Sequence, residues 1–162
     1  MAEQIIQFRG VQKAFGDKVV YDDLTLDVRR GETLTIIGGS GVGKSVCLKM
    51  LIGLMTVDKG TIHAFGESVS EFTNKDLLRL RSRIAMLFQG AALFDSMSVE
   101  ENIKYPLIEH KWGTEAAMNK RVAEVLEMVD MPGIQKLKPA ELSGGMKKRV
   151  GLARSIAIEP EV

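Results

Sequence analysis

The 162-residue chain has one cysteine, two histidines and almost no net charge, +1 at neutral pH. A lone thiol cannot close an internal disulfide, which points to a reducing compartment. His63 and His110 have no partners at metal-ligand spacing, so zinc is not expected. Balanced charge argues against a basic footprint, and no nucleic-acid partner is expected. The longest uncharged runs, residues 33–43 and 84–94, are about half of the ~20 residues a membrane helix needs and contain glycine or polar residues. Residues 1–10 hold no stretch resembling a signal peptide. The expected location is cytoplasmic. No linker, repeat or low-complexity segment interrupts the chain.

What is present is an ordinary globular balance, 45% apolar and 27% charged, enough to bury roughly 70% of the unfolded surface in one domain. Residues 4–8 and 24–28 alternate as strands do, and the β-branched run 33–37 reads as a buried strand. From Lys44 the period becomes helical, with Val46, Met50, Leu51 and Leu54 on one side. A strand is expected over 61–65, a helix over 74–83 and a short buried strand over 84–88. Ser98 with Glu101 reads as a capping box that opens a helix. Met118, Val122, Val125 and Val129 form the stripe of an amphipathic helix, and a last helix is expected over 146–158.

Six of the 16 glycines fall in two clusters. The first, Gly38-Gly39-Ser40-Gly41-Val42-Gly43-Lys44-Ser45, fits G-x-x-x-x-G-K-[ST] between an expected strand and an expected helix. Glycines let successive N–H groups turn inward as an anion nest, and the helix adds its positive end. Lys44 supplies charge to the β- and γ-phosphates, and Ser45 a hydroxyl to Mg²⁺. The second cluster, Leu142-Ser143-Gly144-Gly145-Met146, places small residues and a hydroxyl at another helix start. Two phosphate-binding helix starts in one chain suggest two copies meeting around shared nucleotide.

The order of cradle, Gln89 after a short strand, and Leu-Ser-Gly-Gly before a helix resembles the nucleotide-binding subunit of ATP-binding cassette (ABC) transporters along the whole chain. The resemblance implies an α/β P-loop NTPase fold with an antiparallel β subdomain and a helical subdomain. Residues 1–95 would form the nucleotide core and β subdomain, 96–145 the helical subdomain, and 146–162 the helix returning to the core. Residues 38–45 would be the Walker A loop, binding ATP and Mg²⁺. Phe15 stands where the family stacks an aromatic on adenine; it also reads as a core residue at a strand end. Gln89 would reach Mg²⁺ and the attacking water; it also reads as a solvated turn residue. Ser143, Gly144 and Gly145 would contact the γ-phosphate held by the opposite subunit of a homodimer. Met146 replaces the commoner glutamine.

Residues 87–95, 105–110 and 142–146 together are similar to the ATPases of Mla-type systems. That similarity implies phospholipid transport between bacterial membranes through an integral permease, with an Mce-type lipid-binding protein as an indirect partner. The chain would sit on the inner face of the cytoplasmic membrane. The apolar run Ala91-Ala92-Leu93-Phe94 suits a permease helix, although Leu93 and Phe94 also read as core. Cys47 reads as core, and Lys147-Lys148-Arg149 as a solvated helix face. The family's Mg²⁺-holding aspartate and water-polarising glutamate have no counterpart in residues 1–162. These residues alone are therefore expected to be inactive, with exposed edges where sheet strands of the family are lacking. A soluble, non-transport ABC ATPase and a non-catalytic nucleotide-binding module remain as alternatives.

Overall fold

The computed structural model describes residues 3–162, and its contacts divide into two compact units, up to Arg81 and from Ser82. The first unit is built on a four-stranded antiparallel sheet of order β2-β1-β3-β4, from β1 (Gln4–Phe15), β2 (Lys18–Arg29), β3 (Lys59–Ala64) and the short β4 (Glu67–Ser68). β1 and β2 extend the two expected strands into one hairpin whose two-residue turn pairs Phe15 with Lys18. Ile5, Ile6, Phe8 and Val11 of β1 are buried. Gly60 has φ +80, and a Cβ there would run into the Gly10 carbonyl, so the β3–β1 approach depends on glycine. Helices α1 (Lys44–Leu51) and α2 (Asn74–Arg83) complete these elements. In α1 Met50 and Leu51 are buried as expected, but the helix stops before Leu54, which is exposed.

Two expected strands are not formed. Residues 33–37 run without regular structure, and Leu34, Ile36 and Ile37 are exposed, Ile37 by 90%. Residues 84–88 are also irregular; Ile84 is buried but Leu87 and Phe88 are exposed. The physical reason is the same in both. A run that reads as a buried parallel strand needs neighbours for its backbone groups, and local β propensity does not supply them. Among the described residues, the 84–88 run finds only a fragment of one: Ala85 N–H donates to Val162 O at 2.9 Å, and Glu161 and Val162 donate to Arg83 O.

The second unit packs three helices, α3 (Val99–Glu109), α4 (Glu115–Met128) and α5 (Gly144–Ile156), around one core. The 118, 122, 125, 129 stripe of α4 is buried against Val99, Ile103 and Leu107 of α3 and Val150 and Ala153 of α5. The capping box is formed: Glu101 N–H donates to Ser98 Oγ at 3.2 Å, and Ser98 N–H to Glu101 Oε2 at 2.7 Å. That backbone donor holds the Glu101 carboxyl below its ordinary range. Buried Arg121 closes the end of α5, donating to the carbonyls of Ile156 at 3.0 Å and Ala157 at 2.9 Å.

Fully buried Asn102 ties α3 to the segment before it. Its Oδ1 accepts from Phe94 N–H at 2.8 Å, and its Nδ2 lies within reach of the carbonyls of Phe94, Met97 and Ser98. Asn102→Ala strips partners from buried backbone groups, each costing about 1–3 kcal/mol. The full-length protein is expected to unfold at a clearly lower urea concentration. An unchanged midpoint would show that this network contributes nothing.

Candidate nucleotide-binding site

In the first unit, β2 and α1 shape the cradle. Gly43 caps α1 at φ +110, outside the range of ordinary side chains, and a Cβ there would press into Val20 and Tyr21. Its carbonyl accepts from Val46 N–H at 2.6 Å and from the Tyr21 hydroxyl at 2.8 Å. Lys18 Nζ donates to Gly41 O at 3.2 Å. The hairpin therefore holds the loop from behind. Burial raises the Tyr21 pKa, keeping it a protonated donor. The same cause pushes the Cys47 thiol up to about 11, so it is an inert core residue, as expected.

Lys44 folds back over the loop, donating to Gly38 O at 2.7 Å and Gly39 O at 2.5 Å. An ammonium carries three donors, so one is left to point away from the loop. Gly38, Gly39, Ser40, Gly41, Val42 and Ser45 are exposed, and the first turn of α1 has neither an acidic side chain nor a side-chain cap. Such a helix end favours an anion. This donor set fits a polyphosphate. It offers Mg²⁺ the Ser45 hydroxyl, and the ion characteristically completes its shell with phosphate oxygens and water. Among the described residues no cluster of three or more His, Cys, Asp or Glu side chains forms a metal site.

Phe15 is not in the core. It ends β1 with 47% of its surface exposed, and Lys13 Nζ lies 5.4 Å from the ring centroid. Lys13 is itself buried, and its ammonium bonds Asp58 Oδ1 at 2.7 Å.

The second unit carries Gln89 and the glycine cluster before α5. Gln89 lies in an exposed turn. Just beyond it, Ala91 and Ala92 both adopt positive φ, +62 and +47, which is unusual for residues with a Cβ. α5 holds them: Arg154 donates to Ala92 O at 2.8 Å and Ala91 O at 2.6 Å. A Cβ on Gly151 would meet that of Ala91 at 2.8 Å. Burial lowers the Arg154 pKa. Of the apolar run, Ala91 is buried and Leu93 packs on the core, while Phe94 is exposed with its ring 5.0 Å from that of Tyr105.

Ser143 caps α5, its Oγ accepting from Met146 N–H at 3.2 Å. Gly144 and Gly145 are exposed and would meet nothing within 4 Å if each carried a Cβ. Glycine weakens a helix by roughly 1 kcal/mol relative to alanine. Nothing in this unit requires it here. The Met146 side chain turns inward onto the core. The basic run is not wholly a solvated face, because Arg149 reaches the carbonyls of Val129 at 3.4 Å and Asp130 at 3.3 Å.

Lys13, Asp58, Asn102 and Arg154 were not singled out by the sequence pattern. Lys13 and Asp58 meet across 45 residues and Arg154 reaches back 63 to Ala91, while Asn102 bonds the segment just before its own helix.

The family model described as "ABC transporter" matches residues 21–162. "Probable ribonucleotide transport ATP-binding protein mkl" of Mycobacterium leprae (strain TN) is 41% identical over 157 residues, 97% of this chain and 45% of its own length. "Intermembrane phospholipid transport system ATP-binding protein MlaF" of Escherichia coli (strain K12) is 39% identical over 158 residues, 98% of this chain and 59% of its own. The chain thus spans about half the length of these relatives. A solved structure, the dimeric post-hydrolysis state of the ATP-binding cassette MJ0796 bound to ADP and Pi, superposes with a TM-score of 0.88 at 27% identity, covering 96% of this chain and 71% of that one. The α/β fold is that of such cassettes, and the chain belongs to the ABC transporter ATP-binding family.

Proposed function

We propose that the chain is the ATP-binding part of an ABC transporter subunit that couples ATP binding and hydrolysis to transport of phospholipid between bacterial membranes. The observation that carries the nucleotide half is the exposed, uncapped start of α1, with Lys44 folded over the glycine loop. On this reading residues 38–45 cradle the triphosphate, and Lys44 turns its remaining donor to the β- and γ-phosphates. Ser45 and Gln89 face Mg²⁺, which travels with ATP and neutralises phosphate charge. Phe15 stacks on adenine. Gln89 orients the water that attacks the γ-phosphate directly, so that catalysis is positioning and charge stabilisation.

Ser143, Gly144 and Gly145 meet the γ-phosphate of a second copy. The open space over both glycines supports close approach from outside the unit. On the same reading, residues 96–145 form the helical subdomain. No helix among the described residues is long and apolar enough to cross a membrane. On the same reading a permease carries the membrane attachment, with the chain on the inner face of the cytoplasmic membrane and an Mce-type protein further along the route.

The names of the relatives divide over cargo, phospholipid for one and ribonucleotide for the other. The runs at 87–95, 105–110 and 142–146 favour phospholipid. The test is reconstitution of the full-length protein with its co-purified permease in vesicles containing labelled phospholipid. ATP-dependent movement of the lipid, lost when ATP is omitted, is the expected result. Transport of labelled ribonucleotide instead would overturn the phospholipid assignment.

A further inference from the structure

Phe15 is an exposed aromatic at the end of a strand, where a side chain is ordinarily free to rotate between staggered positions. Here something stands over it. The Lys13 ammonium lies 5.4 Å from the ring centroid, within the range of an attractive cation–π contact. Lys13 is among the few charged residues buried in this structure, and its ammonium bonds Asp58 Oδ1 at 2.7 Å. The other oxygen of Asp58 accepts from Ala14 N–H at 2.7 Å, and Asp58 N–H donates to Gln12 O at 3.0 Å. Asp58 thus grips three consecutive residues, 12 to 14, just before Phe15. The Lys13 ammonium and the Ala14 N–H hold the Asp58 carboxyl below its ordinary range, so it is a carboxylate at neutral pH.

An exposed lysine would reach water, so burying this one needs a reason beyond solubility. Its stem anchors the end of β1, and its charge is directed at one face of the ring. Phe15 keeps 47% of its surface exposed, room for a planar ligand.

We propose that Lys13, held by Asp58, is a positioning residue that fixes the Phe15 ring with one face covered and the other presented to the nucleotide base. This rests on the reading of Phe15 as the adenine platform. Lys13 touches no part of the nucleotide itself. Its contribution is to order the ring before binding, which spares the roughly 0.5–1.5 kcal/mol that immobilising such a side chain otherwise costs. That corresponds to about 2- to 10-fold in affinity.

The experiment measures calorimetric affinities of the full-length protein for Mg-ATP and, separately, for inorganic tripolyphosphate, which offers the cradle its phosphates without a base. Phe15→Ala is expected to weaken ATP by about 10-fold or more, the worth of a stacked base, and to leave tripolyphosphate unchanged. Lys13→Met keeps the apolar stem and removes the charge. It is expected to weaken ATP by about 2- to 10-fold with tripolyphosphate unchanged. Asp58→Asn should act in the same direction, and Lys13→Arg, which also packs a cation on an aromatic face, should restore ATP affinity. Should Lys13→Met fail to fold, Asp58→Asn carries the same comparison.

Equal weakening of ATP and tripolyphosphate in the Lys13 and Asp58 variants would show a general structural role and overturn the proposal. So would unchanged ATP affinity in both. If Phe15→Ala itself leaves ATP affinity unchanged, the adenine-platform reading falls and the role of Lys13 falls with it. A Phe15 effect without a Lys13 or Asp58 effect would sink the positioning role alone.

Discussion

Lys44→Ala is expected to weaken Mg-ATP binding by the full-length protein about 100-fold or more, and to reduce its ATPase rate to background. A hydrogen bond to a charged group is worth about 1.5–3 kcal/mol, roughly 10- to 100-fold for a single contact to phosphate. The triphosphate would also lose the cationic side chain that lies over the cradle loop through its own bonds to Gly38 and Gly39. Those bonds bear on the size of the effect. They bring the ammonium to the loop before any ligand arrives, so its position is already ordered. Their loss in the variant frees two glycine carbonyls and loosens the nest. Both consequences act in the same direction. Lys44→Arg separates charge from shape: the cation is kept, but its planar fork differs from a compact ammonium, and an intermediate loss is expected. Calorimetry on all three proteins makes the comparison. Affinity and turnover of Lys44→Ala within twofold of the parent would remove the cradle from the functional reading.

What could be read from the sequence follows a physical line. The strands at 4–8 and 24–28, the α4 stripe, the Ser98–Glu101 box and the glycine loop before α1 are set by residues near one another along the chain, and each stands in the structure. The runs 33–37 and 84–88 have the composition of buried strands, yet a strand is completed by its neighbours. Within the described residues those neighbours are almost wanting. Leu54 fits a helical period but lies past the end of α1, where Gly53 takes φ +65 and turns the chain. The site residues of the sequence reading are all exposed or half-buried in the structure. Some of the groups that shape their surroundings are far away in sequence. Asp58 is 45 residues from Lys13, and Arg154 is 63 from Ala91. The left-handed turn at Ala91 and Ala92 carries no glycine to announce it. It stands because α5 supplies two hydrogen bonds and a glycine to make room.

Ser143→Arg is expected to abolish ATP-driven dimerisation of the full-length protein while its monomer keeps ATP affinity within about twofold. Ser143 does two things in the unit that can be separated. Its Oγ caps α5 by accepting from Met146 N–H, a bond whose loss costs about 0.5–2 kcal/mol. It also stands exposed beside Gly144 and Gly145, over which a Cβ would meet nothing. The cap loss alone is tolerable. α5 is held by Val150, Ala153 and Ala157 in the core and by Arg121 at its far end, none of which touches the cap. Ser143→Ala therefore serves as the control: it removes the cap, leaves the open space, and should still dimerise, with a weaker dimer. Arginine adds a long side chain into the space that two glycines leave clear. On the proposed arrangement a second copy's γ-phosphate must enter that space. A guanidinium attracts phosphate, so bulk and charge oppose each other here. Bulk decides, because the backbone N–H groups must come within hydrogen-bond distance of the phosphate and an interposed side chain holds them apart. Gel filtration with Mg-ATP and vanadate reads the outcome. A normal nucleotide-dependent dimer of Ser143→Arg would show that the α5 start lies outside the dimer contact, and the glycines at 144 and 145 would then need another explanation.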